Sequence, residues 1–382
     1  MKVWIFSLRT PSGNRPAGGA QRYALDFACS LREHGHCVRI VGAFEAGKPS
    51  REILEGIEVQ RLSRYWIFPW LGLWWNLIRK APEAHLVVEN MMSFLALMPG
   101  AFTRTPAVSI KHHFGTHQRS AAGGRAFRDR ALWWIEHRQI PRAYSRSRLI
   151  FPSQRTEAHF KSLCPRFRGR AAICPPAVQM APNQASFLGS PTILYVGVVN
   201  LARKRVDHLL EASMPLLAEL PDLRVEIAGE GPDRRRLQER YAHERVAFLG
   251  YVSEAEKWQA LARAWVFASP STAEGFGISW VEANSAGLPV VAYDLGLDTV
   301  AAGCGTFVPV GDVPRLREAL KGWLDPNRLR EMRPRAVRSA QPYARMPSEE
   351  ALRSLGIDVD GSGTTNGRTA TRLVVPTSDS PT

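Results

Sequence analysis

Two glutamates in the C-terminal half of the chain have the spacing of a ligand-binding pair. Glu274 lies at the end of a small, polar loop, and Glu282 lies eight positions later in a segment with the apolar spacing of a helix. Because eight residues are just over two helical turns, an extended loop end lets both carboxylates face one ligand. Gly275 and Gly277 let the backbone approach closely, and the first N–H groups of the helix favour an anion.

This arrangement suits a ligand that carries both phosphate and sugar groups. Backbone N–H groups would donate to the phosphates, and the two carboxylates would accept hydrogen bonds from sugar hydroxyls. A nucleotide-sugar has this combination of groups. The alternative is that both glutamates are solvated charges in an ordinary βα unit.

A basic triplet, Arg203-Lys204-Arg205, lies between a strand that ends at Gly197 and the next helix. We therefore expect it at the same carboxyl-end edge of a parallel sheet as Glu274. A fixed cation there would stabilise the charge that develops on a nucleotide diphosphate as its sugar bond breaks. The alternative is a solvated loop in a protein that is basic throughout.

The N-terminal half carries candidates at two further strand ends. Gly18-Gly19 stand where the loop after the first strand meets a helix, so their backbone could approach a phosphate. His112 and His113 follow a later strand and could hydrogen-bond a sugar or assist proton transfer. The alternative is that these histidines are loop residues with no chemical role.

Strands and helices alternate twice along the chain. The pattern stops at Pro175-Pro176 and restarts at Thr192, which predicts two doubly wound parallel sheets. Beyond about Gly356 the composition becomes rich in Gly, Ser, Thr and Asp, which is typical of disorder. We expect an N-terminal domain (residues 1–176), a C-terminal domain (residues 177–345) and a largely disordered C-terminal tail (residues 346–382).

The composition limits the classes of partner. The 382 residues are 45% hydrophobic and 22% charged, as in a soluble globular protein, and the formal net charge is +15. Such a field favours anionic partners, for example nucleotide phosphates or an anionic membrane face. Nucleic acid is not expected, because no zinc-finger, helix-turn-helix or RNA-binding signature occurs. A metal site is not expected either, since no D-x-D pair follows a predicted strand.

Residues 66–75 form an aromatic patch that overlaps the most apolar segment of the chain, residues 68–78, and this segment is too short to span a bilayer. The cations that flank it are Arg61, Arg64, Arg79 and Lys80. Such a surface suits anchoring at an anionic membrane interface, and the alternative is a helix packed in the N-terminal core. The start of the chain is not typical of a signal peptide. We therefore expect a cytoplasmic protein, peripheral at the inner face of the cytoplasmic membrane if the patch is interfacial.

The block E-G-F-G…E-A…G-L-P-V-V-A, residues 274–292, resembles the family 4 retaining glycosyltransferases, which have the GT-B fold. The likeness continues in order from Gly18-Gly19 through Gly197 and Lys204 to residues 308–312. It implies an α/β, GT-B architecture of two Rossmann-like doubly wound parallel-sheet domains facing a central cleft. The C-terminal domain would bind the nucleotide-sugar, and the N-terminal domain the acceptor.

The resemblance also implies a role for each candidate residue. Glu274 would contact the donor sugar, Glu282 the ribose hydroxyls and Lys204 the diphosphate. His112 matches the strand-end histidine of the family, with His113 as the alternate. The catalytic set would be His112, Lys204 and Glu274. The donor-binding set would be Gly18, Gly19, Gly197, Arg203, Lys204, Arg205, Glu274, Gly275, Phe276, Gly277, Ile278 and Glu282.

On this resemblance the protein is a metal-independent retaining hexosyltransferase that needs no cofactor. It would move a sugar from a nucleotide-sugar to a glycan or lipid-linked acceptor in cell-envelope polysaccharide, lipopolysaccharide or glycolipid biosynthesis. The leaving phosphate would help to deprotonate the acceptor on the same face. The alternative is a catalytically weak GT-B scaffold that binds a nucleotide or a partner glycosyltransferase. An epimerase or phosphorylase of the same fold is a third option.

The chain departs from the family pattern in the donor half. Val198 stands where Arg usually follows the strand-end glycine, so one pyrophosphate cation is missing unless Arg203 or Arg205 replaces it. Arg205 follows Lys204, where Gly is usual. Asp298-Thr299 stands where a Pro-Glu pair is common. These departures bear on donor choice and efficiency more than on the fold.

Overall fold

The computed structural model consists of two α/β domains that contact each other. It describes residues 1–12, 19–43, 47–62, 73, 77–91, 99–112 and 133–360. Both domains are built on a mainly parallel sheet, and a helix lies between most successive strands, as the alternating pattern predicts.

In the N-terminal domain, eight strands of the described chain form one sheet in the order β3-β4-β2-β1-β5-β6-β7-β8. The strands are β1 (Lys2–Ser7), β2 (Cys37–Ala43), β3 (Arg51–Leu54), β4 (Ile57–Leu62), β5 (Leu86–Met91), β6 (Ala107–Lys111), β7 (Arg148–Phe151) and β8 (Arg170–Ile173). All neighbours are parallel except β3 and β4, which form an edge hairpin. Its turn is Glu55-Gly56, and both residues have positive φ. The alternation pattern did not predict this antiparallel edge.

The helices of this domain cover the faces of the sheet. They are α1 (Gly19–Glu33), α2 (Pro99–Phe102), α3 (Ile140–Ala143) and α4 (Gln154–Leu163), and a π-helical turn (Ile135–Gln139) precedes α3. Helix α1 buries Tyr23, Phe27 and Leu31, which recur every fourth residue and so share one face. Helix α4 begins at Ser153, whose hydroxyl accepts the N–H of Thr156 as an N-cap.

In the C-terminal domain, six described strands form an all-parallel sheet in the order β11-β10-β9-β12-β13-β14. The strands are β9 (Thr192–Val196), β10 (Arg224–Ala228), β11 (Val246–Gly250), β12 (Val266–Ser269), β13 (Val290–Tyr293) and β14 (Gly305–Val308). The helices are α5 (Val206–Glu219), α6 (Arg234–Arg240), α7 (Glu254–Arg263), α8 (Ile278–Ser285), α9 (Val313–Gly322) and α10 (Pro326–Ala340).

Each sheet has one place where the strand order reverses. In the N-terminal sheet, β1 lies between β2 and β5, and in the C-terminal sheet, β9 lies between β10 and β12. The loops that leave the carboxyl ends of such a strand pair diverge to opposite faces and open a crevice for a ligand. Both crevices are reached by residues that the sequence singled out.

The chain returns to the N-terminal domain after α10. A 3-10 turn (Gln341–Ala344) leads to helix α11 (Ser348–Ser354), and the apolar side chains of residues 346–359 join the N-terminal core. Glu349 accepts a hydrogen bond from His36 at 2.9 Å, and both side chains are buried. The expectation of a disordered tail from residue 346 is therefore wrong for residues 346–359, while residues 361–382 lie outside the described residues.

The aromatic patch of residues 66–75 lies outside the described residues except for Leu73, which is buried beside Trp4 and Phe6. Within the described residues, the structure contains no helix of the length and apolarity that crossing a membrane requires.

Candidate active site

Two loops meet at the switch point of the C-terminal sheet. The first leaves β9 at Gly197, and the second leaves β12 and ends at Gly277, which begins α8. Thr272 joins the loops, because its N–H and its hydroxyl donate to the carbonyl of Arg203 at 2.8 and 3.2 Å. Gly277 has a φ of +84°, and a Cβ at this position would lie 3.0 Å from the ring of Trp280. Glycine is therefore the residue that fits this turn.

The joined loops place Lys204 beside Glu274. The lysine ammonium donates to the glutamate carboxylate in a short contact, and the side chains are 15% and 16% exposed. Asn200 orients the lysine segment, since its Oδ1 accepts the N–H groups of Arg203 at 3.1 Å and Lys204 at 2.9 Å. The structure thus brings Lys204, the middle residue of the basic triplet, into contact with the loop of residues 270–277, which we call the glutamate loop.

The other two cations of the triplet have different surroundings. Arg205 donates to the carboxylate of Asp207 at 3.1 and 3.0 Å and also contacts His208, so its guanidinium is engaged on the α5 side. Its φ of +47° turns the chain into the helix. The Arg203 side chain has no carboxylate partner within the described part of the chain. Arg203 is therefore the better replacement for the cation that is missing at Val198.

Glu282 lies just over one turn into α8 and is paired with a lysine that the sequence reading did not single out. The Nζ of Lys257, on α7, lies 2.6 Å from one carboxylate oxygen of Glu282 and 2.8 Å from Glu254. The Glu282 side chain is 12% exposed. Burial raises the pKa of Glu282, and the neighbouring Lys257 charge opposes that rise. A buried carboxylate held by one oxygen can accept ligand hydroxyls with the other.

The remaining candidates of the glutamate loop offer their backbone. The ring of Phe276 is 6% exposed and packs edge-on against Tyr343 at 5.2 Å between ring centroids. Both rings belong to a small apolar cluster, which we call the hinge cluster and which consists of Val178, Phe276, Val281, Ala340 and Tyr343. Ile278 is half-buried against this cluster. What this loop presents to a ligand is therefore its backbone N–H groups.

The strand-end histidine of the N-terminal domain is held by a chain of hydrogen bonds. His112 is buried, and its Nε2 lies 2.6 Å from the Oδ1 of Asn90, at the end of β5. Asn90 in turn donates from Nδ2 to Ser7 at 2.9 Å and to the carbonyl of Ala20 at 3.1 Å. Because the Asn90 oxygen is the acceptor, His112 Nε2 carries a hydrogen. The edge of the ring packs on Tyr23 at 4.8 Å.

Gly19 begins α1 at the same switch point, and a Cβ there would meet nothing within 4 Å. Space for a phosphate is thus available at this helix start. Its neighbour Gly18 lies outside the described residues, and so does His113, the alternate for His112.

A buried ion pair lies next to His112 in sequence. The Lys111 ammonium is 3.2 Å from the carboxylate of Glu136, which the π-helical turn directs inward, and the side chains are 1% and 0% exposed. Burial lowers the pKa of Lys111, and the Glu136 charge opposes this effect. Such turns occur often at functional sites, and the composition of this segment did not reveal it.

The two halves of the site touch through a helix start. The hydroxyls of Ser153 and Thr156, at the N-terminus of α4, donate to the carbonyl of Gly275 at 2.9 and 3.2 Å. Thr156 Oγ1 also lies 3.5 Å from the carbonyl of His112. Thr156 therefore links the backbone of His112 to the backbone of the loop that carries Glu274.

Two family models match successive parts of the chain. Glycosyltransferase Family 4 matches residues 17–181, and Glycosyl transferases group 1 matches residues 190–325. The matches cover both switch points and every candidate residue described above. The chain belongs to the family 4 glycosyltransferases.

Curated relatives align with only part of this glycosyltransferase family member. Phosphatidyl-myo-inositol mannosyltransferase of Mycolicibacterium smegmatis is 38% identical over 144 residues, which are 36% of this chain and 37% of that protein. One subunit of the phosphatidylinositol N-acetylglucosaminyltransferase of Homo sapiens is 34% identical over 140 residues, which are 33% of this chain and 29% of that protein. The alignments thus span well under half of the length of these curated relatives.

Solved structures show that the fold is GT-B over nearly the whole chain. Sucrose-phosphate synthase from Thermosynechococcus elongatus superposes with a TM-score of 0.73 at 19% identity, covering 93% of this chain and 97% of that one. WaaG, a glycosyltransferase involved in lipopolysaccharide biosynthesis, has a TM-score of 0.63 at 20% identity, covering 90% and 95%. The predicted family and fold are both confirmed.

The sequence reading missed the side chains that position the candidates in this family 4 glycosyltransferase. They are Asn90, Ser153, Thr156, Asn200 and Lys257. A weak signal existed for Asn90, which follows a buried strand, and for Ser153, which has the type and place of an N-cap. Lys257 had no local signal, because it belongs to an ordinary charged helix.

Proposed function

We propose that the protein is a retaining hexosyltransferase that moves a sugar from a nucleotide-sugar to a glycan or lipid-linked acceptor of the cell envelope. The observation that carries the proposal is that the loop and helix after β12 present two partly buried carboxylates, Glu274 paired with Lys204 and Glu282 paired with Lys257. Thr156 contacts the backbone of both Gly275 and His112, so the segment of the strand-end histidine adjoins this loop. Family membership supports transfer of a glycosyl group. The donor, the acceptor and the stereochemistry are part of the proposal.

The Lys204–Glu274 pair would be exchanged for donor contacts on binding. The lysine would turn to the diphosphate, whose developing charge it stabilises, and the released carboxylate would accept hydroxyls of the donor sugar. Glu282 would accept the ribose hydroxyls with its second oxygen. Arg203 would supply the second cation, since Arg205 is held by Asp207.

Backbone groups would complete the donor site. The N–H groups of residues 275–278 would donate to the sugar and phosphate oxygens, and the diphosphate would approach the backbone of Gly197 and Gly19. His112 would hydrogen-bond the sugar. The leaving phosphate would take the proton of the acceptor hydroxyl on the face that the diphosphate leaves, which retains the anomeric configuration. In this scheme the lysine and arginine charges replace a metal.

Two observations support a lipid-linked acceptor at an anionic membrane. Two of the aligned relatives are named for phosphatidylinositol acceptors. On this chain, Trp133 and Trp134 are 43% and 52% exposed, and the arginines that follow them at positions 138, 142 and 146 are exposed. Exposed indoles beside cations suit a bilayer interface that carries anionic lipids.

Vesicle flotation tests the membrane part of the proposal. The wild type should float with vesicles of phosphatidylcholine and phosphatidylglycerol and stay behind with phosphatidylcholine alone. A Trp133→Ala/Trp134→Ala variant should bind about tenfold more weakly, because interfacial binding scales with the apolar area inserted. Tyr251→Ala, which removes an exposed ring from the C-terminal domain, is the matched control. A wild type that floats with neither vesicle would contradict this part.

Turnover of a donor panel tests the activity. UDP-glucose, UDP-N-acetylglucosamine, GDP-mannose and ADP-glucose are offered with a phosphatidylinositol acceptor, with and without EDTA. One donor should be consumed in EDTA, and the product should keep the anomeric configuration of that donor by NMR. An inverted product or a strict metal requirement would overturn the proposed mechanism.

A second candidate, a GT-B scaffold with little activity, is supported by one departure from the family. Val198 occupies the usual place of an arginine and is 51% exposed. In that case the panel would bind without turnover.

A further inference from the structure

The N-terminal domain contacts the glutamate loop through hydrogen bonds to the carbonyl of Gly275. This carbonyl accepts from the Ser153 hydroxyl at 2.9 Å and from the Thr156 hydroxyl at 3.2 Å. These two hydroxyls lie 3.0 Å apart, and Ser153 Oγ also accepts the N–H of Thr156 at 3.3 Å. Ser153 and Thr156 are 3% and 5% exposed, so water competes little for these bonds.

Because the peptide between Gly275 and Phe276 is planar and trans, fixing the Gly275 carbonyl also fixes the direction of the Phe276 N–H. The carbonyl of Gly275 and the N–H of Phe276 belong to one peptide unit and point in opposite directions. With the carbonyl fixed on α4, the Phe276 N–H points away from the N-terminal domain. Within the described part of the chain, neither this N–H nor that of Gly277 has an acceptor. A fixed, unshared N–H is the kind of donor that binds developing or permanent negative charge well.

The Gly275–Phe276 peptide plane could rotate if nothing held the Gly275 carbonyl. The Phe276 ring is anchored in the hinge cluster, so the side chain on the far end of the peptide cannot move easily. Gly275, at the near end, has no Cβ to oppose a rotation of the peptide plane. The hydroxyls of Ser153 and Thr156 are what opposes that rotation.

We propose that Ser153 and Thr156 are positioning residues for the donor. They turn the Gly275–Phe276 peptide so that its N–H faces the sugar-phosphate part of a nucleotide-sugar. The inference rests on the proposed function. It also couples the halves of the enzyme, because donor affinity then depends on contact with a helix of the other domain and rises when the domains close.

Paired binding measurements test this role. Ser153→Ala should raise the Kd of the best-binding nucleotide-sugar of the panel about tenfold, and Thr156→Val should raise it about threefold, as expected for lost hydrogen bonds. The Kd of the matching nucleoside monophosphate should stay within about twofold of the wild-type value, because that ligand lacks the transferred sugar and the second phosphate. Thr156→Ser, which keeps the hydroxyl, should bind the nucleotide-sugar like the wild type.

Ser153→Ala also removes the N-cap of α4, so a second N-cap variant serves as the control. Asp325→Ala removes the side chain that caps α10 by accepting the N–H of Asn327, and Asp325 is not among the residues that we place in the donor site. It should lower the Tm by a similar amount and leave the Kd of the nucleotide-sugar unchanged.

The outcomes separate the inference from the proposed function. If the wild type binds a nucleotide-sugar and the folded Ser153→Ala and Thr156→Val variants bind it equally well, the positioning role is wrong and the function stands. An equal loss for nucleotide-sugar and monophosphate would also overturn the role. If the wild type binds no donor of the panel, the proposed function fails, and the inference fails with it.

Discussion

The two halves of the cleft hold their candidate residues by different forces. In the C-terminal half, Glu274 and Glu282 are each paired with a lysine on a neighbouring loop or helix. In the N-terminal half, His112 is held by a hydrogen bond to Asn90, which in turn donates to Ser7. The two glutamates are thus held by ion pairs, whereas the imidazole of His112 is held by a hydrogen bond to an uncharged side chain.

This difference matches the ligands that we propose for each half. A diphosphate brings its own charge, so an ion pair that can be exchanged for donor contacts keeps the site stable before binding and leaves no unpaired buried charge. An acceptor hydroxyl is neutral, and a histidine held in place by a hydrogen bond to Asn90 can bind it or the donor sugar through a hydrogen bond of its own. Substitutions in either half of the cleft test this difference.

The largest effect is expected from Lys204→Met. Removing a cation that stabilises the leaving diphosphate should lower kcat by roughly two to three orders of magnitude, as for one transition-state donor in other enzymes. Arg205→Met is the matched control, because this neighbouring cation is held by Asp207 and should change kcat much less. Steady-state turnover of the best donor measures both. Equal losses would mean that only the overall positive field matters.

A smaller effect is expected from Asp26→Asn, which tests whether a buried charge in the N-terminal half lowers the free energy of unfolding. Asp26 on α1 is paired with Arg22 at 2.7 Å and is 8% exposed, and burial raises its pKa from 3.8 to about 6. Between these values the folded protein holds a proton that the unfolded chain has lost, so stability falls as the pH rises through this window. Asp26→Asn should therefore be more stable than the wild type by about 1 to 3 kcal/mol at pH 8 and no more stable at pH 4.

Urea unfolding at the two pH values measures this effect. Glu58→Gln is the control, because its pair with Arg39 is at the surface, with both side chains 35% exposed. It should change the free energy of unfolding by less than about 1 kcal/mol at either pH. A destabilised Asp26→Asn at pH 8 would show that the Arg22 pair outweighs the burial of the carboxyl.

The features predicted from sequence are local in the chain. Both sheets follow from strands and helices that alternate over short distances, and the glutamate loop with its glycines follows from one continuous block. The position of Lys204 at the same edge as Glu274 follows from strand order, since both loops leave carboxyl ends of one parallel sheet.

The features that were missed depend on partners far apart in sequence. Ser153 meets Gly275 across 122 residues, and His36 meets Glu349 across 313. A hydroxyl or a short polar helix has no periodicity that reveals such a partner. For the same reason the sequence predicts a tail from residue 346, although the apolar side chains of residues 346–359 join the N-terminal core.

The central claim is that the glutamate loop and α8 bind a nucleotide-sugar, and ligand-observed NMR tests it most directly. UDP-, GDP- and ADP-sugars are added to the wild type, to Glu282→Ala and to Glu254→Ala, which removes the other carboxylate that contacts Lys257. We predict that one donor gives a binding signal with the wild type and with Glu254→Ala, and that most of this signal is lost with Glu282→Ala. A panel that gives no signal with the wild type, or an equal signal with Glu282→Ala, would contradict the claim.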